Sequence, residues 1–308
     1  MKTKRIFLTG ATGNVGRPVL AELLKRGYEV SALVRRRIPD VAGYRPVFGN
    51  LDNLEPVLAE VAGCDGIVHL GSPRGNARAT VHGQDVAGTG DLLDVWNVGN
   101  FVYASSQTVY GIPRGPLAET APLAPEVWYD LGKVFNEQQL AMNAAMDDAP
   151  GAAVSLRLAL VFGAGERRND RQFLPVLLEQ ARLGKRVLFD SEEGLETYGS
   201  SFIGETDAAR AFVDALDMKT SGPFNLAGGF CTWRAVFEAI DRHAGTRTRF
   251  VVRVGARPED GEFRVPQSRS YLDTTAFAAS TGFSARESLD ELVGKFIRRE
   301  DTAPSDAS

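Results

Sequence analysis

Tyr129 and Lys133, in Tyr129-Asp130-Leu131-Gly132-Lys133, form the pair in this chain best suited to move a proton. Four residues apart on a helix, they share a face. An ammonium beside a phenol favours the phenolate, drawing a group that ordinarily ionises near pH ~10 toward acid–base work near neutrality. The spacing alone is common, and an exposed helical pair would show it too. Upstream, Ala104-Ser105-Ser106-Gln107-Thr108-Val109-Tyr110-Gly111 follows an apolar run of strand length and offers a hydroxyl that can bond a substrate oxygen. A serine-rich turn with only capping duties would carry the same letters.

The third motif is Gly10-Ala11-Thr12-Gly13-Asn14-Val15-Gly16, between an apolar run at 6–9 and an amphipathic stretch at 15–26. Glycines between a strand and a helix let the backbone turn tightly and approach a pyrophosphate, whose charge meets unpaired N–H groups at the helix start. Gly10, Thr12, Gly13, Asn14, Val15 and Gly16 are therefore candidate dinucleotide-binding residues. At the end of the second strand an acid would accept hydrogen bonds from the ribose of NAD(H), whereas an arginine pairs with the 2′-phosphate of NADP(H). The chain reads Val34-Arg35-Arg36-Arg37, with no acid. Arg35 is the candidate phosphate ligand, and NADP(H) is favoured over NAD(H); a solvated basic turn is the competing reading. Asn50 and Leu51 after the third strand, and Leu70, Gly71 and Ser72 after the fourth, fall where adenosine and pyrophosphate lie in such folds.

The elements that must position these groups follow from periodicity. Strands are expected at 6–9, 28–34, 46–48, 67–70, 101–104 and 154–158, and helices at 15–26 (with Gly27 as its left-handed stop), 53–61, 84–96 and 128–146. This alternation predicts an α/β fold with a Rossmann-type doubly wound parallel sheet. Beyond 160 the alternation weakens, and the polar, glycine-rich stretches 163–170 and 190–201 read as irregular parts of a smaller C-terminal α/β substrate lobe. A helix at 207–216 and a strand at 223–226 return to the sheet, and 233–243 and 288–299 read as helices of the lobe. The expected division is a dinucleotide-binding domain of 1–160 plus 202–227, a substrate-binding lobe of 161–201 plus 228–300, and a disordered tail at 301–308.

Bulk properties narrow the partners. With 308 residues and a net charge of -4, the chain is long enough for two lobes and has no basic stripe, so nucleic acid is not an expected partner. Cys64 and Cys231 are far apart and His69, His82 and His243 are scattered, giving neither disulfide framework nor metal-ligand spacing. No apolar segment reaches membrane-spanning length and no secretory leader is legible, so a cytoplasmic enzyme without membrane contact or metal is expected.

In this order, Thr9-Gly10-x-x-Gly13-x-x-Gly16, Ser105-Ser106-x-x-Val109-Tyr110-Gly111 and Tyr129-x-x-x-Lys133 resemble the extended short-chain dehydrogenase/reductase family, which includes NAD-dependent epimerases and dehydratases. The likeness continues through 85–89, 202–207 and 224–229. It implies that Ser106, rather than Ser105, orients the substrate, that Tyr129 is the acid/base, and that Lys133 holds the nicotinamide ribose and tunes Tyr129. It also implies a small-molecule substrate and a homodimer through the two long sheet-flanking helices. Four departures bear on the substrate. Sugar-nucleotide members carry an asparagine where this chain has Leu158-Ala159-Leu160-Val161, and an Arg-Asp pair where it has Ser200-Ser201. Asp85 stands where asparagine is common, and Ser106-Gln107-Thr108 lacks the Thr-Asp-Glu of dehydratases. The resemblance therefore implies an NADP(H)-linked oxidoreductase of a small carbonyl or alcohol. A sugar-nucleotide epimerase with tightly bound NAD and a non-catalytic nucleotide-sensing regulator are the alternatives. Arg74, Arg167, Arg168 and Arg171 fall in loops from which they could grip a carboxylate or phosphate, or simply be solvated.

Overall fold

In the computed structural model, which describes residues 3–39, 41–73, 75–112, 114–163, 173–255 and 257–302, both faces of the first strand are buried. β1 (Arg5–Thr9) sends Ile6 and Leu8 into one apolar cluster and Phe7 into another, as the two-residue repeat of a strand requires. Two-sided burial suits a parallel strand covered by helices. α1 (Gly16–Lys25) closes over the first cluster through Val19, Leu20 and Leu23. It stops at Arg26, and Gly27 follows with φ 82°, the left-handed conformation anticipated for it.

β2 (Glu29–Val34) and β3 (Tyr44–Phe48) come next, then a 3₁₀ turn at Glu55–Val57 with Pro56 in it, α2 (Leu58–Ala62) and β4 (Ile67–His69). The helix expected at 53–61 is thus shorter and opens as a 3₁₀ turn. The next helical arm begins earlier than the expected residue 84: α3 (Arg78–Thr80) passes into a π-helical segment, Val81–Val86, and on into α4 (Ala87–Asp94). β5 (Phe101–Ser106), a 3₁₀ turn at Gln107–Tyr110, β6 (Arg114–Leu117), α5 (Trp128–Ala144), β7 (Ala153–Leu158) and β8 (Leu160–Phe162) complete the first half. The second half runs α6 (Phe173–Arg182), β9 (Arg186–Phe189), α7 (Glu192–Thr197), β10 (Gly199–Gly204), α8 (Glu205–Asp214), β11 (Gly222–Leu226), β12 (Gly229–Thr232) and α9 (Trp233–Ala244). It closes with β13 (Arg249–Val252), β14 (Glu262–Arg264), β15 (Arg269–Leu272), α10 (Thr275–Thr281) and α11 (Leu289–Thr302).

Seven strands form one parallel sheet in the order β11-β7-β5-β4-β1-β2-β3. α1 and α8 cover one face, with Ala208 and Phe212 beside Leu8 and Val30. α2, α4 and α5 supply Val61, Leu92, Leu93 and Leu140 on the other, against Phe7, Phe101 and Tyr103. This is a Rossmann-type doubly wound sheet, and its strand order reverses between β1 and β4, where a crevice opens at the carboxyl ends. A smaller α/β lobe accompanies it. There β12-β10-β15-β6, with β8 on β10, and the three-stranded β13-β9-β14 pack with α6, α9 and α11 around Phe162, Leu177, Val187, Phe237 and Phe296.

Two stretches differ from expectation. Residues 190–201 are not an irregular loop: they hold α7 and the start of β10, a strand buried along its whole length. Small residues there serve close approach, since a Cβ on Gly199 would lie 2.0 Å from the carbonyl oxygen of Cys231 on the paired strand. α11 also continues through Thr302, so the first residues of the expected tail are helical. Residues 303–308, most of 163–170, and Arg74, Arg167, Arg168 and Arg171 lie outside the described residues. No helix among those described is long and apolar enough to cross a membrane, and no group of His, Cys, Asp and Glu among them could hold a metal.

Candidate active site

The glycine turn is built by contact with its own backbone. Gly10 has φ 70°, and a Cβ there would lie 2.7 Å from the backbone nitrogen of Gly71. One on Gly16 would lie 1.9 Å from the Gly10 carbonyl oxygen. Gly13 is different: its Cβ would meet only that same oxygen, at 3.2 Å, so the fold itself demands glycine less there. Val15, at the N-cap of α1, offers no side-chain cap, and the first helical turn carries no acid. Its N–H groups and positive dipole end are thus suited to an anion. Asn14 lines a small cavity beside the turn with Val161, Gly163 and Glu205. Thr12 is half-buried in the same turn.

Other candidate cofactor residues gather at the carboxyl ends of β1, β3 and β4. Leu70 packs against the first cluster, and Leu51 reaches within 3.0 Å of where a Gly71 Cβ would be. The Gly71 N–H donates to Thr9 Oγ1 at 2.9 Å, and Ser72 Oγ donates to Asp85 Oδ2 at 3.4 Å. Asn50 is exposed, and its carboxamide oxygen accepts the N–H groups of Asp52 and Asn53 at 2.8 and 3.2 Å, an Asx turn that shapes the loop. Arg35 stands exposed one residue beyond β2, and neither it, Arg36 nor Arg37 is held in an ion pair among the described residues.

α5 carries Tyr129 and Lys133 into the site. Asp130 accepts the N–H groups of Glu126 and Val127 at 3.3 Å each, tying down the helix start, and the Tyr129 N–H donates to Asn76 Oδ1 at 2.7 Å. Lys133 is only 2% exposed. Its Nζ lies 3.6 Å from Asp85 Oδ1, 4.8 Å from the centre of the Tyr103 ring and 5.3 Å from that of Tyr129. Gly132 permits this meeting, because a Cβ there would come within 2.5 Å of Val81 Cγ1 on the π-helical segment. Burial opposes the charge on Lys133, but Asp85 and then the tyrosine hydroxyls outweigh it and hold the ammonium well above the usual lysine range. Burial likewise pushes the Tyr103 phenol up, with Lys133 working against it.

Strand alternation distinguishes the two serines. Tyr103 and Ser105 face α5, where Asn136 Nδ2 donates to the Tyr103 hydroxyl at 2.8 Å and Ser105 Oγ donates to Glu137 Oε1 at 2.5 Å. Ser105 is buried and engaged. Ser106, half-buried at the strand end, accepts the N–H of Thr108 at 3.2 Å and its hydroxyl at 2.9 Å. Both bonds use the oxygen of Ser106, leaving its own hydrogen to donate.

Sequence reasoning missed several supports. His69 is fully buried between Thr9 Oγ1, at 2.5 Å from Nδ1, and Thr89 Oγ1, at 3.1 Å from Nε2, and Thr89 donates onward to the Asp85 carbonyl at 2.6 Å. Burial, and then the charge of Lys133, push the His69 imidazole down to about 3, so it is neutral. Arg157 is buried on Glu137, its Nη2 2.7 Å from Oε2, and donates through Nη1 to Tyr110 and the Glu119 carbonyl. This ties α5, β7 and the serine turn together. Gln107 is buried, donating to Ser200 Oγ at 3.0 Å and accepting from Ser270 Oγ at 3.4 Å. The signal for these was a polar residue inside an otherwise apolar strand, as with His69, Tyr103 and Arg157.

Residues 6–227 match the model of the NAD dependent epimerase/dehydratase family. The chain belongs to that family. A 2-alkyl-3-oxoalkanoate reductase of Stenotrophomonas maltophilia is 30% identical to this family member over 207 residues, covering 63% of this chain and 61% of the relative. A 4-hydroxy-2-methyl-3-oxo-4-farnesyl-3,4-dihydroquinoline-1-oxide ketoreductase of Stigmatella aurantiaca is 32% identical over 193 residues, 58% of this chain and 55% of the relative. The aligned region thus spans under two thirds of either reductase. Among solved structures, a UDP-glucose-4-epimerase of Stenotrophomonas maltophila with bound NAD and formylated UDP-arabinopyranose superposes with a TM-score of 0.79. It is 22% identical, and the match covers 97% of this chain and 99% of that one. At that identity the likeness speaks for the fold.

Proposed function

We propose that this family member is an NADP(H)-preferring oxidoreductase that interconverts a small carbonyl compound and its alcohol, with Tyr129 as acid/base. The observation that carries this reading is the buried Lys133 ammonium 5.3 Å from the Tyr129 ring. A dinucleotide suits the glycine turn: Gly10 and Gly16 are glycine for the backbone's sake, whereas Gly13 and the uncapped helix start leave an open cradle. Gly10, Thr12, Gly13, Asn14, Val15 and Gly16 would hold the pyrophosphate, with Leu51, Leu70, Gly71 and Ser72 beside it, Asn50 at the adenosine, and Arg35 on the 2′-phosphate. When bound, the nicotinamide exchanges hydride with the substrate carbon. Ser106 donates a hydrogen bond to the substrate oxygen and orients it, Tyr129 gives that oxygen a proton in reduction or takes one in oxidation, and Lys133 keeps the phenol's surroundings positive and holds the ribose.

The substrate side favours a compound without a diphosphate. Ser200 and Ser201 stand where sugar-nucleotide members place a cation and an acid. Here both are buried, Ser200 bonded to Gln107 and Ser201 Oγ accepting the Leu272 N–H at 2.9 Å. No charge is present at these positions to meet a pyrophosphate. The two reductases described above support the same reading. A sugar-nucleotide epimerase is the second reading, supported by the close overlap with the solved epimerase fold. The test is to follow NADPH and NADH oxidation over a panel of ketones and aldehydes, with Tyr129→Phe and Arg35→Ala beside the parent. The expected result is NADPH-dependent turnover, lost in Tyr129→Phe by about 10²–10⁴-fold, and weakened NADPH binding with NADH unchanged in Arg35→Ala. Purification with NAD retained and UDP-sugar interconversion would replace this reading with the second.

The proposed enzyme is a homodimer. Trp128, Phe135 and Met142 recur every seven residues on α5 as an exposed apolar stripe, 40%, 41% and 69% accessible, on one of the two sheet-flanking arms.

A further inference from the structure

The Asp85 carboxylate is costly for the fold. It is fully buried, and among the described residues its Oδ1 has no hydrogen-bond partner and its Oδ2 has one long bond from Ser72. A buried ion pair of this kind is often matched or bettered by apolar side chains, so stability alone gives no reason for it. Local backbone is also bent to present it: Asp85 lies in the π-helical segment Val81–Val86, an uncommon conformation that recurs at functional sites. Gly132 then lets that segment press against α5, with the position of its missing Cβ 3.5 Å from Asp85 Oδ2. The result is a carboxylate 3.6 Å from the ammonium that faces Tyr129.

We propose that Asp85 is a positioning residue that pairs with Lys133 and offsets the pull of the ammonium on the Tyr129 proton, so that the phenol is the form presented to a carbonyl substrate. The inference rests on the proposed role of Tyr129. A lone ammonium in a low-dielectric pocket pulls a neighbouring phenol toward phenolate, the form that removes a proton from an alcohol; a carboxylate beside that ammonium cancels much of the pull. The groups facing Lys133 are Asp85 from the π-helical segment, Tyr103 from β5, Tyr129 from α5, and His69 from β4. His69 is neutral, and Glu137 on the next turn of α5 is committed to Arg157. Among the described residues Asp85 is thus the opposing charge. In reduction the substrate carbon would receive hydride from a reduced nicotinamide, the carbonyl π pair would move to oxygen, and that oxygen would take the proton of Tyr129. Tyr129 is reprotonated from solvent.

The test reads tyrosinate absorbance against pH, as the difference between the protein and its Tyr129→Phe form, and needs no substrate. In Asp85→Asn the Tyr129 contribution is expected to emerge at least about one pH unit lower, tenfold in proton activity. Coincident titration curves would overturn the proposal. Should Asp85→Asn fold poorly with its cation unpaired, Asp85→Asn with Lys133→Met removes both charges. Its curve should lie near that of the parent, and a curve about a unit or more higher would show that Lys133 acts uncancelled. If Tyr129→Phe retains turnover, the proposed function fails. If it loses turnover while Asp85→Asn leaves the titration unmoved, only the role of Asp85 fails.

Discussion

Alanine at Gly16 and alanine at Gly13 should separate what the fold requires of the glycine turn from what a ligand requires. A Cβ on Gly16 would sit 1.9 Å from the Gly10 carbonyl oxygen, 2.7 Å from its carbon and 3.0 Å from Ala11 Cα, so backbone must give by about 1 Å on one side or the other. Both partners are anchored, Gly10 against the backbone of Leu70 and Gly71, and α1 through Val19, Leu20 and Leu23 in the core. Overpacking costs ~1–3 kcal/mol where side chains can yield, and backbone against backbone puts this case at ~3 kcal/mol or above. At ~2 °C per kcal/mol for a chain of this size, Gly16→Ala should melt ~6 °C or more below the parent. On Gly13 the single contact at 3.2 Å can relax by a few tenths of an ångström, for a cost below ~1 kcal/mol and a shift within ~2 °C. Ligand response should run the other way. NADPH at a hundredfold excess over its Kd stabilises the folded chain by ~2.7 kcal/mol, a rise of ~5 °C, which Gly13→Ala should lose while keeping its unliganded melting point. Differential scanning fluorimetry with and without NADPH reads both quantities. Equal melting of the two variants, or a full NADPH shift in Gly13→Ala, would refute the assignment of Gly16 to packing and Gly13 to the ligand.

Glu137→Gln should cost ~3–5 kcal/mol in chemical denaturation by leaving Arg157 buried without its countercharge, and Glu137→Leu with Arg157→Met should recover most of that. The pH dependence of stability should carry the signature of His69, whose folded value of about 3 lies below its ordinary 6.5. The unfolded chain then binds the extra proton, so its contribution is full above pH ~6.5 and is lost as pH falls toward ~3; in His69→Gln, urea unfolding should show a shallower acid loss across that window. Phe135→Glu should convert a dimer to a monomer in sedimentation velocity, whereas a monomeric parent would remove the interface proposed for α5.

The sequence revealed the parts whose chemistry is local. A strand, a glycine turn and an amphipathic helix in succession are one supersecondary unit, and Gly10 and Gly16 announce it because their constraint comes from backbone within or beside the turn. Tyr129 and Lys133 were legible for the same reason. The elements of 186–204 were not: β9 is short, the Gly199-Ser200-Ser201 start of β10 lacks β-branched residues, and what makes that segment a strand is its burial beside β12, β8 and β15. Propensity yields to tertiary context in such a place.

The same distinction separates the two halves of the site. Asp85 and Lys133 are 48 positions apart, and nothing periodic joins them. Asp85 could be recognised as a departure from a family pattern, but its meaning depended on a π-helical segment that no apolar repeat encodes, and on Gly132, which reads as a weak helix former until its neighbour Val81 is seen. Once that contact is known, Gly132 ceases to be a spacer between Tyr129 and Lys133. It lets the segment that carries Asp85 lie close to Lys133, since a Cβ there would meet Val81 on that segment at 2.5 Å. The five residues Tyr129-Asp130-Leu131-Gly132-Lys133 thus hold the proposed acid/base, a carboxylate that ties down the helix start, the cation and the gap that admits its countercharge. On the proposed role of Asp85, how strongly the cation acts on the phenol depends on the residue that fills the gap, which the motif itself does not contain.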